Sequence, residues 1–192
     1  MQQLNGTTQQ QNSLPYRTVV AKPEDRKKVL IFVSFTCPFC AAYDDHLIRW
    51  SHTLPPDWTV EFVPVVLPRD RDSVIAARAF YAVRSIDPAY LDTWMPEVYT
   101  DIQNRGSKVD DPKTWTAIAS RLEIRNFAEA WSSVKPDSVT NAYKQLVSYG
   151  VDATPSMAIG GKYVITPDNT NGNEDLFFQL ANGMVSTVIS QP

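Results

Sequence analysis

Cysteine is scarce in this chain: two residues, Cys37 and Cys40, in a total of 192. A small secreted fold held together by disulfides needs several pairs, so that class is excluded. Histidine is equally scarce, with only His46 and His52. No apolar run approaches the ~18 residues of a membrane span. No long basic run occurs, and the formal net charge of -3 gives no electrostatic case for a nucleic-acid partner. The nearest candidate, Arg26-Lys27-Lys28, reads as a solvated turn before a strand. The first residues, MQQLNGTTQQQNSLP, contain no apolar stretch of the signal-peptide kind. What remains is 43% hydrophobic and 20% charged, the composition of an ordinary globular domain able to bury its own core.

Residues 1–14 are rich in Gln, Asn and Thr and read as a disordered tail. A short strand is expected over 16–20. Val29 to Phe35 is a dense apolar run, β-branched and aromatic, and predicts a central buried strand. A helix follows from Pro38 to about Trp50; proline suits a first turn, where its missing N–H has no partner to lose. Thr59–Val66 reads as a second strand, placed at an edge by Pro64. Residues 71–86 carry one apolar stripe at helical spacing. A helix from Pro88 to Asn104 is expected next, stopped by Gly106. Further helices are expected over 114–122, 125–132 and 138–149. Met157–Ile159 and Lys162–Ile165 flank Gly160-Gly161 and predict a hairpin with a two-residue turn. A last helix starts after Asn173, with Phe177, Leu180, Ala181, Met184 and Val188 on one face. The fold class is α/β with a block of helices inserted between the strands.

Both cysteines lie in the segment SFTCPFCAAY, residues 34–43. As a structural staple the pair is poor, because so short a loop removes only roughly 2 kcal/mol of unfolded-state entropy. As a zinc site it lacks ligands. His46 and His52 are the only additions, and Cys40 and His46 lie about 600° apart along a helix, on different faces. The redox reading fits best. A strand delivers Cys37 to the mouth of a helix, where free N–H groups and the helix dipole stabilise a thiolate. Cys40, three residues on, can resolve a mixed disulfide. The five tryptophans are scattered and read as packing residues. His46 and His52 read as surface or packing residues, and the pair Asp44-Asp45 is expected to face solvent.

Three segments resemble the thioredoxin superfamily, and within it the DsbA-like thiol:disulfide oxidoreductases. VLIFVSFTCPFC, residues 29–40, is similar to the family's strand and active-site helix. Residues 70–150 are similar to its inserted helical domain. GVDATPSMAIGGKYVITP, residues 150–167, is similar to its loop, proline and hairpin. The resemblance implies a thioredoxin fold formed by residues 15–68 and 151–192, with a helical subdomain inserted over 69–150. It implies catalysis by Cys37 and Cys40, tuned by Pro38 and Phe39, without metal or external cofactor. It identifies Thr154-Pro155 as a cis-proline dipeptide facing the cysteines, whose backbone pairs with an extended substrate segment. The implied partners are unfolded or partly folded cysteine-containing proteins and a DsbB-like membrane reoxidant. The implied compartment is the periplasm, with any leader already removed.

Two positions depart from the family pattern. DsbA oxidases typically carry histidine between the cysteines, where this chain has Phe39. Cys37 is therefore expected to ionise below a free thiol but above the ~3.5 of DsbA itself. Six residues before Cys37 the family often places a buried acid; here it is Ile31, so proton transfer at Cys40 must use another group. CPFC also resembles the CPYC of DsbG-like isomerases and reductases. Those relatives dimerise through an N-terminal domain; fewer than 30 residues precede the active-site strand here, which favours a monomer and an oxidase. A peptide-binding holdase with an incidental disulfide is the reading from a different class.

Overall fold

The computed structural model describes residues 14–191. Apart from Leu14, the tail expected over 1–14 lies outside them. Five strands form one sheet: β1 (Arg17–Thr18), β2 (Lys28–Val33), β3 (Thr59–Pro64), β4 (Ser156–Ile159) and β5 (Tyr163–Ile165), in the order β1-β5-β4-β2-β3. The β2–β3 pair is parallel and the other pairs are antiparallel. Helix α1 (Pro38–Ser51) connects β2 to β3. Between β3 and β4 lie α2 (Arg71–Ile86), α3 (Leu91–Tyr99), α4 (Pro112–Arg121), α5 (Phe127–Ser133) and α6 (Pro136–Ser148). Helix α7 (Glu174–Ser190) closes the chain, its Asn173 cap accepting from Leu176 N–H at 2.9 Å.

β2 is buried on both faces, as its unbroken apolar run requires. Val29, Ile31 and Val33 point to the side of α1, α3 and α7. Leu30 and Phe32 point to the other side, against Ala77 of α2 and Ala142 and Leu146 of α6. The first of these cores runs without a break from β2 into the helical block. Trp94 and Trp115 stack within it at a centroid separation of 6.0 Å, both fully buried. On the same side α7 meets α1 through aromatic pairs, Tyr43 edge-on to Phe177 at 5.6 Å and His46 stacked on Phe178 at 3.8 Å. The ring nitrogens of both histidines also meet carboxylates, His46 with Glu174 at 3.0 Å and His52 with Asp92 at 2.9 Å.

Pro64 does end an edge strand. Two expectations are corrected. The hairpin connection has three residues, because Ile159 pairs with Tyr163 and the Lys162 carbonyl accepts from Val19 N–H instead. Both glycines are required there: their φ angles are +62° and +69°, and a Cβ would come within 2.5 Å of Val188 at Gly160 and 2.2 Å of the Lys22 carbonyl at Gly161. The single helix expected from Pro88 to Asn104 is three pieces. A 3₁₀ turn at Pro88–Tyr90 precedes α3, and α3 runs into a π-helical turn at Thr100–Asn104. That turn is pinned by Asp101, almost fully buried, which pairs with Arg105 and with Arg121 at 2.7 Å. Wide turns of this kind shift a helix's side-chain register, and here the shift sets up the site.

Candidate active site

Cys37 is the N-terminal cap of α1, with extended backbone, and Pro38 fills the first helical position. Its side chain is partly exposed, Pro38 and Phe39 are exposed, and Cys40 is fully buried one turn on. Both cysteines are in the thiol form. The Thr154–Pro155 peptide is cis and lies across from them. The Cys37 thiol donates to the Thr154 carbonyl at 3.3 Å, and the Ser34 N–H donates to Cys40 Sγ at 3.4 Å. The structure therefore brings Cys37, Cys40, Thr154 and Pro155 together, although 117 residues separate Cys37 from Thr154.

This geometry makes the two sulfurs unlike each other. Cys37 is lowered to about 5. The hydrogen bond from the Cys40 thiol is the main cause, opposed by partial burial and helped by the Thr154 side chain and the N–H groups of Cys40 and Phe39. Neither N–H closes as a formal cap bond in the thiol form. The Thr154 carbonyl acts the other way, since it accepts only from the thiol; the net shift remains strongly toward the thiolate. Cys40 is pushed far up, first by its hydrogen bond to Cys37 and then by burial. One sulfur is ready to attack or to leave as an anion, and the other holds its proton.

Sequence reasoning missed three residues. Gln103, in the π-helical turn, donates from Nε2 to the Phe35 carbonyl at 2.9 Å and to the Cys37 carbonyl at 3.1 Å. It ties the strand-to-helix junction to the helical block. Gln103→Leu leaves the Phe35 carbonyl unpaired, while the Cys37 carbonyl keeps the Ala41 N–H at 3.2 Å, and is expected to cost about 1–2 kcal/mol in urea unfolding. Asp44 does not face solvent as expected; it is 3% exposed, while Asp45 is exposed. The buried positions of α1 are Cys40, Tyr43, Asp44, Leu47, Ile48 and Trp50; the first five form a stripe at i, i+3, i+4, i+7 and i+8 that runs through Asp44. Tyr99, at the end of α3, is 4% exposed and its hydroxyl reaches the neighbourhood of Cys40. Ile31 is fully buried on the face toward α1 and carries no group that can move a proton.

Among the described residues, no group of three or more His, Cys, Asp or Glu side chains is placed to hold a metal ion.

Comparison with known proteins agrees with this geometry. A family described as the DSBA-like thioredoxin domain matches residues 28–181, from the start of β2 into α7. The thiol:disulfide interchange protein DsbA of Bordetella parapertussis is 26% identical over 144 residues, covering 73% of this chain and 66% of that protein. The chain thus spans just under two thirds of that relative's length. DsbA of Burkholderia cepacia is 24% identical over 155 residues, covering 79% of this chain and 71% of that protein. In fold, the chain superposes on crystalline Pseudomonas aeruginosa DsbA with a TM-score of 0.78 at 19% identity, covering 90% of this chain and 91% of that one. For DsbA of Xylella fastidiosa the TM-score is 0.73 at 18% identity, covering 91% and 92%. A sheet that delivers a Cys-Pro-Phe-Cys turn onto a helix opposite a cis-proline loop fits a family match over most of the chain's length, and that match shows that this chain belongs to the DSBA-like thioredoxin domain family.

Proposed function

We propose that the chain oxidises cysteine pairs in unfolded or partly folded proteins by exchange through Cys37 and Cys40. A substrate thiolate attacks Cys37 in the Cys37–Cys40 disulfide, and the electron pair of the broken S–S bond leaves on Cys40. The second substrate thiolate then attacks the substrate sulfur of the mixed disulfide and releases Cys37 as a thiolate. The substrate is oxidised by two electrons and the enzyme is reduced by two. The observation that carries this reading is the placement of Cys37 at the mouth of α1, 3.3 Å from the Thr154 carbonyl of the cis-proline loop and with Cys40 buried behind it, an arrangement that lowers Cys37 to about 5. A stabilised leaving thiolate favours the reduced enzyme, and so favours passing the disulfide on.

Thr154 and Pro155 position the substrate segment, and the Thr154 carbonyl, 3.3 Å from Cys37 Sγ, marks where its backbone runs. Phe39, 65% exposed beside the nucleophile, offers an apolar contact to an unfolded client. The thioredoxin-like part is residues 15–68 and 151–192, with 69–150 as the helical insertion, consistent with α2–α6 falling between β3 and β4. The redox-active disulfide is the only cofactor this chemistry needs. A bacterial periplasm and a DsbB-like membrane reoxidant complete the reading, by analogy with relatives named DsbA.

The test is oxidation of a two-cysteine peptide by the oxidised protein, beside repair of a scrambled multi-disulfide protein. Peptide oxidation is expected to dominate, to vanish in Cys37→Ala, and to stop at a trapped mixed disulfide in Cys40→Ala. Efficient repair with little peptide oxidation would assign an isomerase instead. Client protection that survives Cys37→Ala would assign a holdase.

A further inference from the structure

Exchange at Cys37 uses the face of the sheet that carries α1. On the other face, between α2 and α6, lies a cavity of about 690 Å³. That is the size of a small-molecule site, roughly 300–1,000 Å³. No cysteine lines it, and neither Thr154 nor Pro155 does, so it is separate from the exchange site. Its inner wall belongs to the second core: Val66 is buried there, and Val139 and Tyr143 pack against the same cluster. Leu67 and Val74 also line it, yet they stay 46% and 39% exposed. Large apolar side chains gathered on one open recess, rather than scattered singly, are the pattern of a binding surface.

The charges on this recess have one sign. Arg69, Arg78 and Lys135 line it, and no Asp or Glu does. The whole chain has 21 acidic residues against 18 basic ones, so three cations without an acid invert the local balance. The neighbouring acids are occupied or lie outside. Asp70 caps α2, accepting from Asp72 N–H at 3.1 Å and from Ser73 N–H at 3.4 Å. Asp137 sits in the first turn of α6 and does not line the cavity.

Arg78 is fixed in place. Its Nε–H donates to the Trp131 carbonyl at 3.0 Å, and its guanidinium lies 5.9 Å from the centre of the Trp131 ring. These contacts leave the two Nη groups to donate, in a planar fork that matches the oxygens of an anionic head group. The Arg69 and Lys135 side chains have no partner among the described residues. Arg69 also holds a φ of +68°, a left-handed backbone in which glycine or asparagine would sit more easily.

We propose that this cavity binds a small amphiphilic anion, its single apolar chain against Val66, Leu67, Val74 and Val139 and its carboxylate, sulfonate or phosphate head held by Arg78 with Arg69 and Lys135. The apolar wall alone would accept any hydrophobe, and the cations alone any anion; only a ligand with both parts uses the whole recess. The occupant is a free molecule and not an anionic bilayer. A bilayer would also meet the exposed Asp72 and Asp137 at the starts of α2 and α6, whereas a single chain between the two helices avoids both. The proposal does not depend on exchange at Cys37–Cys40.

The experiment is calorimetric titration of the full chain with decanoate, kept below its micelle-forming concentration. One site is expected. Decanol has the same chain without the charge and should bind at least about tenfold more weakly, the loss of charge-assisted hydrogen bonds. Decyltrimethylammonium, of opposite charge, should not bind. Raising sodium chloride from about 50 to about 500 mM should weaken decanoate severalfold, because most of these cations are exposed. Arg78→Gln should lower decanoate affinity about tenfold. Arg69→Gln combined with Lys135→Gln, at two exposed positions where folding is not at stake, should do the same. Val139→Asp puts an acid on the apolar wall and should abolish binding. Each variant should keep the wild-type circular dichroism spectrum. Equal affinity for decanol and decanoate overturns the proposal, as does no decanoate binding by folded wild type. Decanoate binding that the Arg69, Lys135 and Arg78 variants leave unmoved places it elsewhere and also overturns it. Co-sedimentation with phosphatidylglycerol vesicles in the absence of decanoate binding would assign the surface to a membrane instead.

Discussion

Reduced protein is expected to gain stability relative to oxidised protein as pH rises from about 4.5 to 8. The folded Cys37 sulfur ionises at about 5, against ~8.5 for an unfolded cysteine. Between those values the unfolded chain binds more protons than the native one, so stability increases with pH. The contribution is fully present above the unfolded value and is lost as pH falls through about 5. Oxidised protein has no thiolate and shows none of it. The disulfide adds its own loop-closure term, but that term does not depend on pH, so the pH dependence of the difference isolates the thiolate. Cys37 is partly exposed, and solvent screening leaves about 2 kcal/mol of the full linkage. In a chain this long that is roughly 4–8 °C of melting temperature. Cys40 does not blur the window: its folded value is raised, so it contributes only above the unfolded ~8.5. Calorimetric melts of both redox forms at half-unit pH steps give the answer, and iodoacetamide alkylation of Cys37 should show the same midpoint near 5. Phe39→His should move that midpoint down by placing a donor beside the sulfur. Parallel melting curves for the two forms would remove the thermodynamic basis for an oxidising direction.

The cysteine pair was legible in the sequence because every signal for it is local. An apolar β-branched run, two cysteines at i and i+3, and a proline at the first helical position lie within twelve residues, 29–40. The edge position of β3 followed from one proline, and the hairpin from two glycines. The cis peptide at Thr154–Pro155 was not legible from physics; it came with a resemblance over residues 150–167. Asp44 was misplaced for an instructive reason. Taken with Asp45 it looks like a solvated acidic pair, but two adjacent helical residues point about 100° apart. The stripe that starts at Cys40 passes through Asp44 and leaves Asp45 outside. Tyr99 and Gln103 were hidden more deeply. They sit where α3 gives way to a π-helical turn, and a register change inside a helix leaves no mark in a pattern read at 3.6 residues per turn. What a sequence conceals most thoroughly is thus the contact made across elements by a locally irregular backbone.

Replacing Asp44 with asparagine should make the protein more stable at pH 8 and abolish part of its pH dependence. The buried carboxyl keeps its proton up to about 7, whereas an unfolded aspartate releases it at ~3.9. Between those values the native state binds more protons than the unfolded state, so stability falls as pH rises through that range and levels off above 7. The sign is opposite to that of Cys37, so in reduced wild-type protein the two slopes partly cancel. Oxidised protein separates them: the thiolate is gone, while the causes acting on Asp44, burial and then Asp45 and Asp92, do not involve the cysteines. There, wild type should lose stability between pH 4.5 and 7.5 more steeply than Asp44→Asn. At pH 8 the variant should lead by about 2 kcal/mol, roughly 4–8 °C, after allowing for an amide that is itself buried without partners. Equal slopes in urea melts of the two oxidised proteins would mean that Asp44 ionises as an ordinary surface acid.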